Sequence, residues 1–508
     1  MTAPASMIAV GWFVEVTRPL LFALRRPVRH PSCQPTHLVP YAGRVRGGTA
    51  TPSCASDEPL RWAVVGAGVL GMSLALRLAR AGHHVTLLEA GEVLGGLASP
   101  WELGDVTWDR HYHVTLLSDS RTREMYSSVG IGEDELRWVE TRTGYYGPDR
   151  TLRSVSNAIE FLQLPGLSLI DKGRLGATIV VGSKIRNGRK MERVTVERWL
   201  RRWSGNSAFE TFWKPLLRAK LGDAYPKASA AFIWATIQRL YAARRSGLKK
   251  EMFGYAAGGY AFVCERFAVA LADAGVEVRL GTPVRSLEQV DGALSVEPIG
   301  GQRDTFDRVV VTTSASRAAT MCPGLLPGER ERLQRVEYLG IVCVSLLLDR
   351  PLAPYYLTYI TDPATPFTAV VEMTSFIDPA EVGGKSLVYL PKYTSTDDPL
   401  FAATDDDVVA AFTPYLRQMY PDLLPEQILI ARVSKVAQVF AVPSLGFSDD
   451  APSIGTSVPG LFLAGSAHLP FSTLNVNDTL SLVDEVLREA GVEPPATVTK
   501  TSTGEDPA

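Results

Sequence analysis

The apolar positions of residues 60–90 change rhythm twice. Trp62-Ala-Val-Val65 is a continuous apolar run of strand length, a helix-like stretch follows it up to Gly82, and Val85-Thr-Leu-Leu88 is a second run. The pattern predicts a strand, a helix and a strand, one βαβ unit. A longer pattern begins at Gly258-Gly259: an amphipathic helix over 262–274, a strand over Val276-Glu-Val-Arg-Leu280, and a hairpin marked by the turn Asp291-Gly292. It ends in Phe306-Asp-Arg-Val-Val-Val-Thr-Thr313, apolar enough for a parallel strand covered on both faces. Near the C-terminus, Pro459-Gly-Leu-Phe-Leu-Ala-Gly-Ser466 reads as a further strand, followed by a loop to Asn475 and a helix over 479–490.

Two long segments lie between these pieces. Residues 105–255 read as mostly helical, with Trp199, Trp203, Trp213 and Trp234 at spacings suited to core packing. Residues 335–445 alternate, and predict strands at Ile341–Leu348, Phe367–Met373 and Ser386–Leu390 in one sheet, with a helix starting at the capping run Thr404-Asp-Asp-Asp407. No internal repeat is visible. The stretch Met7–Leu24 is apolar but broken by Glu15 and Arg18, and its arginines follow it, the wrong order for a secretory signal. Residues 1–59 and 493–508 are expected to be disordered tails. No uninterrupted apolar run approaches the ~18 residues of a membrane-spanning helix.

Composition narrows the partners. The 52 basic and 54 acidic residues leave a formal charge of -2, which offers neither a footprint for nucleic acid nor a polybasic membrane anchor. A small-molecule partner is expected, with a homodimer admitted as the assembly. Five cysteines, Cys33, Cys54, Cys264, Cys322 and Cys343, are scattered without metal-ligand spacing, so neither a zinc site nor a disulfide framework is predicted, and a cytoplasmic location is expected.

The chemistry starts with three glycines. Gly66, Gly68 and Gly71 follow the first apolar run, and Glu89 closes the second. In such a unit the first glycine allows a tight turn, the second lets a pyrophosphate approach the backbone, and the third lets helix and strand pack closely. The phosphates would meet the helix N-terminus, and Glu89 would accept hydrogen bonds from ribose hydroxyls. Immediately beyond the acid comes another glycine pair, Gly95-Gly96.

This extended pattern resembles the FAD motif of the flavin amine oxidase and protoporphyrinogen oxidase superfamily. The resemblance implies an α/β fold with FAD as cofactor: a Rossmann-like FAD-binding domain of the GR2 type, assembled from residues 60–104, 256–330 and 446–492. The remaining segments, 105–255 and 331–445, would form an α+β substrate domain. It also implies that the backbone near Val284 meets the adenine. The strand ending at Gly465 and the helix after Asn475 would face the flavin pyrimidine. Relatives end that strand in Gly-Asp or Gly-Glu; here Ser466 replaces the acid, and Asn475 and Asn477 replace a glycine-rich turn.

The same resemblance supplies catalytic candidates. Trp108-Asp-Arg-His-Tyr-His-Val114 would cross the isoalloxazine, making Arg110, His111 and above all His113 candidates to face the ring. Lys392, at the end of a substrate-domain strand, matches the lysine with which amine oxidases hold a water near flavin N5; the plain alternative is a solvated strand-end lysine. His468, just after Ser466, would also lie near the flavin. Metal ligands are not expected. The expected activity is oxidation of a C–N or C–C bond of a small organic substrate by hydride transfer to N5. The histidine loop also resembles that of UDP-galactopyranose mutase, so a non-redox flavoenzyme is the alternative, with Arg218 or Arg239 clamping phosphates. A flavin-binding protein without turnover is the third class.

Overall fold

The computed structural model describes residues 58–245, 252–471 and 475–492. The tails expected at 1–59 and 493–508 lie outside the described residues, apart from Glu58 and Pro59.

Five parallel strands form the first sheet, in the order Glu277–Arg279, His84–Leu88, Arg61–Val65, Arg308–Val311 and Leu461–Leu463. Its central strand is apolar on both sides because both faces are covered. Trp62 and Val64 pack under helices Val69–Arg80, Gly259–Asp273 and Val476–Glu489. Ala63 and Val65 pack against the hairpin of Val284–Val290 with Ala293–Pro298 and against helix Ala315–Met321. Asp291 and Gly292 make the hairpin turn with φ of 50° and 84°, the pair of positive values a type I′ turn requires. A parallel sheet with helices on one face and an antiparallel hairpin sheet on the other is the expected Rossmann-like architecture.

The second sheet has seven strands, in the order Ile428–Ala441, Tyr338–Leu348, Ser386–Ser395, Ala369–Glu372, Leu357–Ile360, Thr143–Tyr146 and Leu152–Ser154. Neighbours are antiparallel except Leu357–Ile360 and Thr143–Tyr146. Its inner face, carrying Ile341, Cys343, Tyr389 and Tyr393, meets the helical layer. Its outer face, carrying Val342, Val344, Val388 and Leu390, meets helix Asp405–Met419, which opens on the capping box of Thr404 and Asp407. The helical layer comprises Leu169–Lys184, Val196–Ser204, a run from Asn206 to Leu221 with a π turn at Phe209–Trp213, and Ala230–Arg245. Trp199 and Trp213 are buried in it, whereas Trp203 is 39% exposed.

Residues 105–255 are less purely helical than their composition suggested. They give the sheet two strands, and the alternating segment holds two more, Leu357–Ile360 and Ile428–Ala441. Ile428–Ala441 is masked in sequence by Arg432, Ser434, Lys435 and Gln438, which interrupt its apolar rhythm. Among the described residues, no helix is long and apolar enough to cross a membrane, and no cluster of three His, Cys, Asp or Glu side chains could hold a metal.

Candidate functional site

The glycine turn is built by close approach. Gly66 takes φ of +104° and donates its N–H to Leu88 at 2.7 Å. A Cβ on Gly71 would stand 1.8 Å from the Gly66 carbonyl oxygen, so only glycine lets the helix start this close to the strand. Gly68 differs: a Cβ there would meet no heavy atom within 4 Å. It faces open space at the start of helix Val69–Arg80, whose first turn has no side-chain cap and no acid. The free N–H groups of an uncapped helix are a ready anion site.

Glu89 braces this turn. Its Oε2 accepts from the Ala67 N–H at 2.7 Å and its Oε1 from the Gly91 N–H at 2.8 Å. Each carboxylate oxygen keeps accepting capacity for a hydroxyl. The backbone carbonyl of Glu89 accepts from Thr282 at 2.7 Å, which brings the segment leading to half-buried Val284 to the same corner. The second glycine pair closes the cradle. Gly95 donates to the Ala67 carbonyl at 2.9 Å, and a Cβ on Gly96 would stand 3.0 Å from Gly68 Cα. Open space over Gly68, an uncapped helix and a held carboxylate fit FAD, whose pyrophosphate Gly68 and the helix N-terminus would meet and whose ribose Glu89 would hold.

The stretch after the cradle is tightly held. The Arg110 guanidinium hydrogen-bonds to Ser99 and lies 3.5 Å from the Gly96 carbonyl, while its buried Nε has no partner. His111 bridges two elements: Nδ1 lies 3.1 Å from the Leu97 carbonyl and Nε2 3.1 Å from Ser434 Oγ on the Ile428–Ala441 strand. The carbonyl can only accept, so Nδ1 carries the proton and Nε2 accepts from the serine. Burial pushes this imidazole down to about 4, so it is neutral.

His113 sits behind that layer. Its Nδ1 is 3.3 Å from Asp109 Oδ2, its ring lies 4.7 Å from the Tyr260 ring, and its buried Nε2 has no protein partner. It lines a cavity of about 10 Å³ with Thr115, Tyr126 and Tyr260, space for one water. Asp109 Oδ1 accepts from the Tyr260 N–H at 2.7 Å, and burial pushes this carboxyl up to about 7.

The structure does not gather the three residues singled out for catalysis. Lys392 alternates with Tyr389 and Tyr393 and shares the outer face with Val388 and Leu390, where its Nζ lies 3.2 Å from Asp398. His468 closes the loop after the last parallel strand: Nδ1 accepts from the Gly465 N–H at 3.1 Å, and Nε2 lies 3.4 Å from the Ser453 carbonyl. Burial pushes it, too, down to about 4. Gly465 is extended, and a Cβ there would stand 3.0 Å from the Thr313 carbonyl oxygen; half-buried Ser466 opens the short turn that ends at His468. Asn475 caps helix Val476–Glu489 by accepting from the Asp478 N–H at 2.9 Å, so that helix starts three residues earlier than expected. Arg218 and Arg239 turn elsewhere. Arg218 pairs with Asp223 on the surface, and Arg239 pairs at 2.6 Å with buried Asp119.

Sequence reading passed over Lys220, on helix Lys214–Leu221. The residue is only 5% exposed, yet its Nζ has no hydrogen-bond partner and lies 4.1 Å from the Tyr393 ring centroid and 5.7 Å from that of Phe440. Ring faces return about 2 kcal/mol to a desolvated cation, against several kcal/mol for its lost hydration. The signal in the sequence is local: Lys220 follows Leu216 by four positions, on the stripe that packs against the sheet.

Cradle and sheets together define the class of FAD-dependent oxidoreductase folds, and FAD is the cofactor that fold and family carry. A family model described as flavin containing amine oxidoreductase matches residues 71–472, and the chain belongs to that family. Zeta-carotene desaturase from Synechocystis sp. (strain ATCC 27184 / PCC 6803 / Kazusa) is 24% identical over 469 residues, covering 80% of this chain and 92% of that protein. The 15-cis-phytoene desaturase of Arabidopsis thaliana is 37% identical over 84 residues, only 16% of this chain and 15% of the desaturase. Among solved structures, a putative protoporphyrinogen oxidase from Exiguobacterium sp. 255-15 superposes with a TM-score of 0.68 at 17% identity, over 85% of this chain and 99% of that one. A reduced UDP-galactopyranose mutase superposes with a TM-score of 0.65 at 14% identity, over 85% and 96%. Likenesses at this identity concern the fold.

Proposed function

We propose that the protein is an FAD-dependent oxidoreductase that oxidises a C–N or C–C bond of a small organic substrate. The observation that carries this reading is the cradle in which two glycine motifs close on each other, with Gly68 facing open space beneath an uncapped helix. FAD bound there supplies the hydride acceptor. The chain's residues supply the rest: Glu89 orients the ribose, and neutral His111 ties the loop beyond the cradle to the substrate sheet. For His113 we propose a positioning role, holding Asp109 against the N-terminus of helix Gly259–Asp273. Lys392 and His468 then hold the ends of their own segments.

The mutase-like alternative requires cations for a diphosphate, and the pairing of Arg218 with Asp223 and of Arg239 with Asp119 weighs against it. The test is anaerobic mixing of the purified yellow protein with amines, polyene precursors and sugar nucleotides. Bleaching of the flavin by an amine or polyene supports oxidation. Turnover of a sugar nucleotide only after dithionite reduction would overturn it.

A further inference from the structure

Buried lysines in this protein are treated in two ways. Lys172 and Lys220 are equally buried, each 5% exposed. Lys172 donates to the carbonyls of Leu162 and Leu164 at 2.6 and 2.9 Å, as a buried ammonium must to offset its lost water. Lys220 donates to no protein atom and meets only ring faces. Folding alone gives no reason to keep a cation there, since an apolar side chain would pack at least as well.

Its position says what the cation is for. Tyr393 lies on the inner face of the seven-stranded sheet, four residues beyond Tyr389, whose hydroxyl donates to the Asp109 carbonyl in the loop that follows the cradle. Phe440 lies two residues beyond Gln438, whose side-chain carbonyl accepts from Ser314 and Ser316, just past the Arg308–Val311 strand. The two rings that flank Lys220 therefore belong to strands that also reach the loop after the cradle and the segment past Arg308–Val311, the side of the nucleotide sheet on which open α/β sheets bind ligands. The other cations of its helix, Lys214 and Arg218, turn outward to Glu210 and Asp223. One ammonium among aromatic rings suits a single negative charge on an apolar body and not a phosphorylated polyanion.

We propose that Lys220 anchors a carboxylate of the substrate, so that the oxidised molecule is an organic acid with an apolar or unsaturated body. This deepens the oxidoreductase reading and rests on it. The test uses the FAD-loaded protein and three probes, benzoate, phenylacetate and octanoate, each beside its uncharged amide, read by flavin difference spectra and by melting temperature. At least one acid should bind about tenfold or more tightly than its amide, the scale of a hydrogen bond to a charged group. Lys220→Met should abolish that preference while keeping full flavin content and an equal or higher melting temperature without probe. Equal binding of acids and amides, or an unchanged preference in Lys220→Met, overturns the proposal. A lower melting temperature in Lys220→Met also overturns it, because the lysine then serves the fold through an ordered water. A protein without flavin would instead sink the oxidoreductase reading, while melting temperature still reports the acid preference.

Discussion

Gly68 and Gly71, three residues apart, answer to different physics. Gly71 is required by the fold: a Cβ there collides with the Gly66 backbone, so Gly71→Val should cost more than ~3 kcal/mol and yield little folded protein. Gly68 is not required by the fold, because a Cβ there would meet no heavy atom within 4 Å, and the proposed pyrophosphate is what leaves it no side chain. Gly68→Val should therefore fold with an unchanged apoprotein melting temperature and lose its flavin, measured as FAD released by heat. Retention of full flavin would overturn the pyrophosphate assignment. The buried histidines give a second residue-scale test. His111 and His468 both titrate near 4 in the folded chain against 6.5 when free, so their stabilisation is present above about 6.5 and is lost as pH falls toward 4. Asp109, raised to about 7, works in the opposite sense, losing its contribution as pH rises. His468→Asn keeps an acceptor for the Gly465 N–H and cannot titrate, so its melting temperature should fall less steeply than the parent's between pH 6.5 and 4.

At the scale of elements, the alternation of the Ser386–Ser395 strand decides the standing of Lys392. Tyr389 and Tyr393 point inward, so Lys392 points outward to Asp398 and helix Asp405–Met419. Lys392→Met should leave flavin content and the rate of flavin reduction unchanged, and change stability by less than ~1 kcal/mol. A hundredfold slower reduction would restore the water-holding role. His113 joins elements: it ties the stretch after the cradle to helix Gly259–Asp273 through Asp109 and Tyr260. His113→Ala strips a buried carboxyl of its partner and should cost about 1–3 kcal/mol, with melting temperature and flavin occupancy falling together. Slow reduction at full occupancy and stability would return His113 to the flavin.

At the scale of the molecule, the sheet that carries the cradle gathers chain from three distant regions, since the Arg61–Val65 strand lies between His84–Leu88 and Arg308–Val311, and the latter pairs Leu461–Leu463. A ligand bound across them should stabilise the whole: FAD at a hundredfold excess over its dissociation constant is worth about 2.7 kcal/mol, read as a higher melting temperature of holoprotein over apoprotein. The nucleotide half was legible in the sequence because each of its signals is local. A glycine triplet, an acid at the next strand end and an Asp-Gly turn constrain the backbone within a few residues, and the backbone obeys them in any surroundings. The substrate half was not. Its strands Thr143–Tyr146 and Ile428–Ala441 are held by partners far along the chain, and the polar side chains on Ile428–Ala441 hide its period. Which face Lys392 takes, that Asp109 lies beside His113 Nδ1, and that Lys220 is left among rings were decided by tertiary packing alone. A side chain's neighbours across a sheet depend on register and on what covers each face, and neither is written within the few residues that a sequence pattern spans.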